Sequence, residues 1–386
     1  MIYLDYAAAT PTNKAVIKAI KPYLSNKFYN PSSLYTASRD IARELDECRT
    51  KVASLIGAKP TEIYFTAGAT ESINLAIAGV LRAHPDSKIV VSAIEHTSVL
   101  ASAEGFAGQD NVIKTRVNSD GRIDISALTK SITDDVGLVS IAYVNGEIGT
   151  IQPIKQLVEV IDNIKKERQQ RGVDKPLYLH SDCSQAPEYL DIHVNRLGVD
   201  MMSLNGAKIY GLKQSGILYA HRNVVLEPLI YGGGQEGGLR GGSESMVAAV
   251  GFKKSLEITI DNYKQESKRL KVLQQQLIKG LKEIDGQVII NGSLKHRIPA
   301  NINVSFAGVN GETLVHHLDA VGICVATGSA CVSGNGKPSH VLEAIGLDEQ
   351  LISGSLRISM GRNTKPKDVS TLTKTLQTLV PKLRDK

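Results

Sequence analysis

Gly137-Leu138-Val139-Ser140-Ile141-Ala142-Tyr143-Val144 is an apolar run without polar alternation, the pattern of a strand buried on both faces. Two shorter runs, Lys88-Ile89-Val90-Val91-Ser92 upstream and Pro176-Leu177-Tyr178-Leu179-His180 downstream, read the same way. Helical segments lie between such runs. Ile41, Leu45, Cys48, Val52 and Leu55 recur at helical spacing, and Gly57 supplies a stop. Doubly buried strands alternating with helices predict an α/β domain built on a mainly parallel sheet flanked by helices.

The rhythm breaks at Tyr231-Gly232-Gly233-Gly234 through Gly241-Gly242-Ser243. Beyond it a long polar-faced helix carries Leu270, Leu273, Leu277 and Leu281. Short strands follow around Ile289-Ile290 and Ile302-Asn303-Val304, and a last helix carries Val369, Leu372, Leu376, Leu379 and Leu383. The expected division is a large domain over 15–256 and a smaller α+β domain formed by 1–14 with 257–386. The glycine-rich stretch is not a dinucleotide loop, because it does not open a βαβ unit between a strand and a helix.

Bulk composition excludes several classes. No apolar run nears the roughly 18 residues of a membrane span, and the start Met1-Ile2-Tyr3-Leu4-Asp5 shows no charged leader before an apolar stretch. A cytoplasmic protein is the expectation. Four cysteines in 386 residues, with no Cys-x-x-Cys, are not a disulfide framework. The net charge of +6 is spread out, with local excess only at Lys165 to Arg171 and Lys382 to Lys386, read as solvated helix faces or ends. With no tryptophan and 5% aromatics there is little sign of a nucleic-acid platform.

Chemistry collects after the strands, at the edge where α/β proteins bind ligands. Thr66-Ala67-Gly68-Ala69-Thr70-Glu71-Ser72 leads into an apolar helix, and N–H groups at such a start, with the Thr70 hydroxyl, form a phosphate cradle. An ordinary capped helix explains the same residues. Glu95-His96 and His180-Ser181-Asp182-Cys183-Ser184-Gln185 place carboxylates at buried strand ends, where each needs a cation such as a protonated pyridine. Lys208, among small residues after Met201-Met202, is either a desolvated amine able to attack an aldehyde or a surface lysine in a loop. A zinc site drawn from Cys324, Cys331, His316, His317 and His340 matches no established spacing.

Eight collinear blocks carry a resemblance across nearly the whole chain: Ile2-Tyr3-Leu4-Asp5-Tyr6-Ala7-Ala8, Asn30-Pro31-Ser32-Ser33, Phe65 to Ser72, Glu95-His96, Asn145-Gly146-Glu147-Ile148-Gly149-Thr150, Gly232-Gly233-Gly234-Gln235-Glu236, Gly328-Ser329-Ala330-Cys331, and Ser355-Leu356-Arg357-Ile358-Ser359-Met360-Gly361-Arg362. Together they resemble the cysteine desulfurases of the nitrogen-fixation and iron-sulfur-assembly type. These belong to the class V aminotransferase group of pyridoxal-phosphate enzymes, with fold type I. The resemblance implies conversion of L-cysteine to L-alanine with a persulfide on Cys331, passed to a protein acceptor. Iron-sulfur assembly, tRNA thiolation and DNA sulfur modification are all open as destinations. Selenocysteine lysis, transamination, or a weakly active scaffold in a sulfur-transfer complex are the alternatives.

Roles follow position by position from that resemblance. Lys208 bonds to the cofactor aldehyde and moves the substrate's α proton, Asp182 keeps the pyridine nitrogen protonated, and Gln185 bonds the phenolic oxygen. His96 stacks over the ring, Ala69, Thr70 and Asn205 lie at the phosphate, and Ser243 reaches the phosphate of a second subunit, implying a homodimer. Arg357 clamps the substrate carboxylate bidentately, and Asn30 is a second substrate-binding residue. Cys331 needs a lowered pKa and freedom to travel, and glycines at 322, 328, 334 and 336 surround it; the other reading is a buried, inert thiol, which suits Cys324 better. The chain departs from the family pattern at Ala207 (usually histidine), Asn205 (serine), Gly146 (asparagine) and Ala9 (threonine). The first two remove phosphate-side donors.

Overall fold

The computed structural model describes residues 1–284, 286–328 and 338–384. The chain opens with a two-residue strand, β1 (Ile2–Tyr3), followed by an arm reaching the helix Lys14–Ile20. Next come β2 (Ile63–Thr66), β3 (Lys88–Ser92), β4 (Val112–Thr115), β5 (Val136–Ser140), β6 (Tyr178–Asp182), β7 (Met201–Asn205) and β8 (Gly216–Ala220). Among the described residues these form a seven-stranded sheet in the order β2-β8-β7-β6-β5-β3-β4. Only β8 runs against its neighbours. The strand expected over 137–144 is shorter: it ends at Ser140, after which Ile141 N and Tyr143 N still donate to the His180 and Asp182 carbonyls while Ala142 and Val144 line a cavity. The downstream strand lies two residues later than expected, so that its last residue is Asp182.

The smaller part contributes β9 (Val288–Asn291), β10 (Asn301–Phe306), β11 (Ile323–Cys324) and β12 (Ser355–Ser359). β10 lies antiparallel between β12 and β9, while β11 pairs in parallel with β1. One continuous helix, Met246–Lys282, runs through Leu256, where the domain boundary was expected, and buries Phe252 and Leu256 at one end and Leu277 and Leu281 at the other. A single apolar cluster includes both ends. Gly251 lets this helix approach closely, since a Cβ there would stand 2.9 Å from Leu212 Cδ1.

Local signals account for the rest. The helix Thr36–Ile56 stops at Gly57, whose φ of 73° suits glycine. Arg168 corrects the reading of 165–171 as a solvated face. It is 2% exposed and donates from Nη2 to the Thr133 and Val136 carbonyls, closing the turn before β5. No helix among the described residues is long and apolar enough to cross a membrane.

Candidate active site

The parallel strands present their carboxyl ends to a cavity with about 780 Å³ of empty space, its mouth included. Its walls contain His96, Asp182, Gln185, Lys208 and Arg357, drawn from the segment after β3, the end of β6 and its following loop, the turn after β7, and β12. Ala69, Thr70 and Asn205 are not among those walls. Asn30 and Ser243 are exposed elsewhere, and Cys331 lies outside the described residues.

The floor rests on a polar strut. His180 is fully buried on β6, and its ring joins Ser140 Oγ on β5 (2.8 Å) to Ser203 Oγ on β7 (2.9 Å). Burial lowers its pKa, so the ring is a neutral tie under the site. Asp182 follows two residues on, with Oδ1 accepting from Ser184 N (2.9 Å) and Ser184 Oγ (2.6 Å). No described residue donates to its other oxygen, which leaves it able to take a cationic N–H.

Lys208 closes a 3-10 turn that Asn205 caps by accepting from Ala207 N at 3.0 Å. Gly206 is needed there, because a Cβ would come within 2.2 Å of Ser215 Oγ. The lysine is half-buried, and its Nζ donates to the carbonyls of Ala7 (2.8 Å) and Ala8 (2.6 Å) in the N-terminal arm. Gln185 Nε2 donates to the same Ala7 oxygen at 3.0 Å. Gly146 makes room for that amide, since a Cβ would lie 3.3 Å from Gln185 Nε2.

His96 caps the helix Thr97–Ala107, with Nδ1 accepting from Ser98 N at 3.1 Å. That bond places the proton of the neutral ring on Nε2. Burial lowers its pKa against the opposing pull of Asp182. Glu95 is fully buried, and both its carboxyl oxygens face a single donor, Ala142 N (3.0 and 3.1 Å). Burial, and then the nearby Asp182, push its pKa up to about 8, against the Ala142 N–H.

At the rim, Arg357 Nη2 donates to Asp5 Oδ1 at 2.8 Å. Glu147 accepts from Ser339 Oγ at 2.5 Å, and His340 Nε2 donates to the Glu95 carbonyl at 3.0 Å. Burial raises the Glu147 pKa, while Ser339 and Arg357 pull it down. Sequence reasoning assigned no role to Asp5, Glu147, His180 or His340. Their signal was acids and imidazoles inside apolar or strand-end contexts, which must find partners.

Ala69, Thr70 and Asn205, expected beside a phosphate, lie at a separate end. Gly68, at φ 141°, precedes the helix Ala69–Ala83, whose first N–H groups are not used within the helix. A Cβ at Gly68 would lie 4.0 Å from Asn205 Oδ1, so the helix start and the lysine turn are neighbours. Gly216 permits that approach, since a Cβ there would meet Gly68 Cα at 2.7 Å. Among the described residues no group of three or more His, Cys, Asp or Glu is placed to hold a metal ion.

A lysine, an aspartate and a histidine line one cavity, and the family model of class-V aminotransferases matches residues 2–372. The chain belongs to that family, which is pyridoxal-phosphate-dependent in general, and within it to the cysteine desulfurases. It is 39% identical over 390 residues to "Cysteine desulfurase IscS" of Dictyoglomus turgidum, covering 99% of this chain and 95% of that protein. Among solved structures, a "NifS-like protein" has a TM-score of 0.89 at 29% identity, covering 99% of this chain and 100% of the other. "SspA in complex with cysteine" has a TM-score of 0.80 at 33% identity, covering 93% and 99%. The fold expected for the family, an α/β layer structure of fold type I, is the one observed.

Proposed function

We propose that the cavity binds pyridoxal phosphate and L-cysteine together, and that Cys331 takes the substrate's sulfur as a persulfide for delivery to a protein acceptor. The residues fit the cofactor. Asp182 offers an oxygen without a hydrogen bond from described residues, Lys208 brings an amine to the same walls, and the helix at Ala69 and Thr70 begins with unused N–H groups beside Asn205. Gln185 and His96 complete the holding set, and Ser243 is exposed, as contact with a second subunit requires. When bound, the cofactor supplies an electron sink for the pair released as the substrate's α proton leaves.

The chain's own groups do the remainder. Lys208 Nζ carries the α proton away from and back to the substrate carbon. Arg357 binds the substrate carboxylate, fixing which bond is presented. Asp182 holds a proton at the ring nitrogen by electrostatic attraction. The Cys331 thiolate attacks the substrate Sγ, the Cβ–Sγ bond breaks with its electron pair remaining on Cβ, and protonation there yields alanine.

The observation that carries this reading is the placing of Lys208, Asp182 and Arg357 in the walls of one cavity. Purified protein given pyridoxal phosphate, L-cysteine and a reductant is expected to release alanine and sulfide in equal amounts. Pyruvate in place of alanine, or turnover unchanged in Cys331→Ala, would contradict the persulfide route.

A further inference from the structure

Arg357 is a buried cation whose donors are only partly used. It is 4% exposed, and among the described residues its sole side-chain hydrogen bond runs from Nη2 to Asp5 Oδ1. Among the described residues Nε is buried without a partner and Nη1 makes no hydrogen bond. A guanidinium left so incomplete stays desolvated at a cost unless an anion completes it.

Asp5 is not a loose counter-ion. The arm carrying it is bound to the arginine's own strand: Asp5 bridges Ser359 of β12, Ser359 Oγ accepts from Ala7 N at 2.9 Å, and Ser359 N donates to Leu4 O at 2.7 Å. Tyr3 Oη donates to the carbonyls of both Asp5 (2.9 Å) and Ala9 (3.0 Å), which holds the arm in a tight bend. Its acidic side chain is therefore set against the guanidinium by the backbone, two residues along from Ser359. The same bend presents the Ala7 and Ala8 carbonyls to Lys208.

We propose that Asp5 is a positioning residue for substrate recognition. By holding Nη2 it fixes the plane of the Arg357 guanidinium and leaves the other donors for the carboxylate of the amino-acid substrate. It touches the arginine and not the substrate. The inference rests on the reading of Arg357 as the carboxylate-binding group.

The test compares Asp5→Ala, Asp5→Asn and Arg357→Ala in cofactor-loaded enzyme, measuring kcat and KM for L-cysteine and the inhibition constant of cysteamine, which has the amine and thiol but no carboxylate. Loss of one charge-assisted hydrogen bond to the guanidinium corresponds to about a tenfold effect. Asp5→Ala is expected to raise KM for L-cysteine about tenfold while kcat and the cysteamine constant move by less than about threefold. Asp5→Asn, which keeps the acceptor oxygen, is expected to recover most of that loss. A fall in KM for Asp5→Ala would show Asp5 to be a competitor of the substrate and overturn the proposal. Equal losses toward L-cysteine and cysteamine would make Asp5 merely structural and also overturn it. If Arg357→Ala leaves KM for L-cysteine unchanged, the underlying reading fails; if Arg357→Ala raises it and Asp5→Ala does not, Asp5 alone is ruled out.

Discussion

The floor of the cavity and its rim are built on different principles. On the floor His180 is tied to two strands, Asp182 has one oxygen doubly bonded to Ser184, and Lys208 holds two arm carbonyls. At the rim Arg357 uses one nitrogen and, among the described residues, leaves a second buried without a partner. Fixed geometry suits a resident group, and an incomplete donor set suits a ligand that comes and goes. The contrast favours the proposed placing of the cofactor at the sheet edge and of the substrate carboxylate at the seam between the arm and β12.

The largest effect expected from breaking the floor is chemical. Lys208→Ala should lower L-cysteine turnover by at least about 10³-fold, since it removes both the proposed attachment point and the proposed proton carrier; loss of less than tenfold would break the contrast. Next comes the strut. His180→Leu leaves the Ser140 and Ser203 hydroxyls buried without their partner, at about 1–3 kcal/mol each. Thermal unfolding should fall by several degrees, with a parallel loss of cofactor affinity.

A smaller effect depends on pH. The Glu95 pKa rises on folding to about 8, so the native state holds a proton that the unfolded chain gives up. That contribution is complete below the ordinary carboxyl range and fades as pH rises toward and through about 8. Glu95→Gln should therefore gain stability over wild type at pH 9 and show little gain at pH 5, read from melting curves at both. The smallest effect concerns the phosphate end, where Ala207 offers no side-chain donor. Ala207→His should tighten pyridoxal-phosphate binding about fivefold, the worth of one neutral hydrogen bond, measured by titrating cofactor-free protein.

Much of the floor was legible in the chain. Doubly apolar strands announced the parallel sheet, and the polar residues after them marked its ligand edge, because burial at strand ends makes acids and lysines conspicuous. Contacts made by the N-terminal arm, on floor and rim alike, were harder to read. Lys208 meets main-chain carbonyls of Ala7 and Ala8, and carbonyls leave no trace in residue type. The Asp5 to Arg357 pairing joins residues 352 positions apart, which no local period can reveal. Arg168 misled for a related reason: its charge matches a solvated helix face, yet packing carries it inward onto two carbonyls. The unbroken helix Met246–Lys282 hid the passage between the two parts, since helical period continues wherever the partner layer changes.

The claim beneath all of this is that the amine at position 208 is where the cofactor attaches. Borohydride reduction of the cofactor-loaded protein, followed by peptide mass mapping, tests it directly. A pyridoxyl label confined to the peptide containing Lys208 is the predicted result, and a label on another lysine, or none, would contradict it.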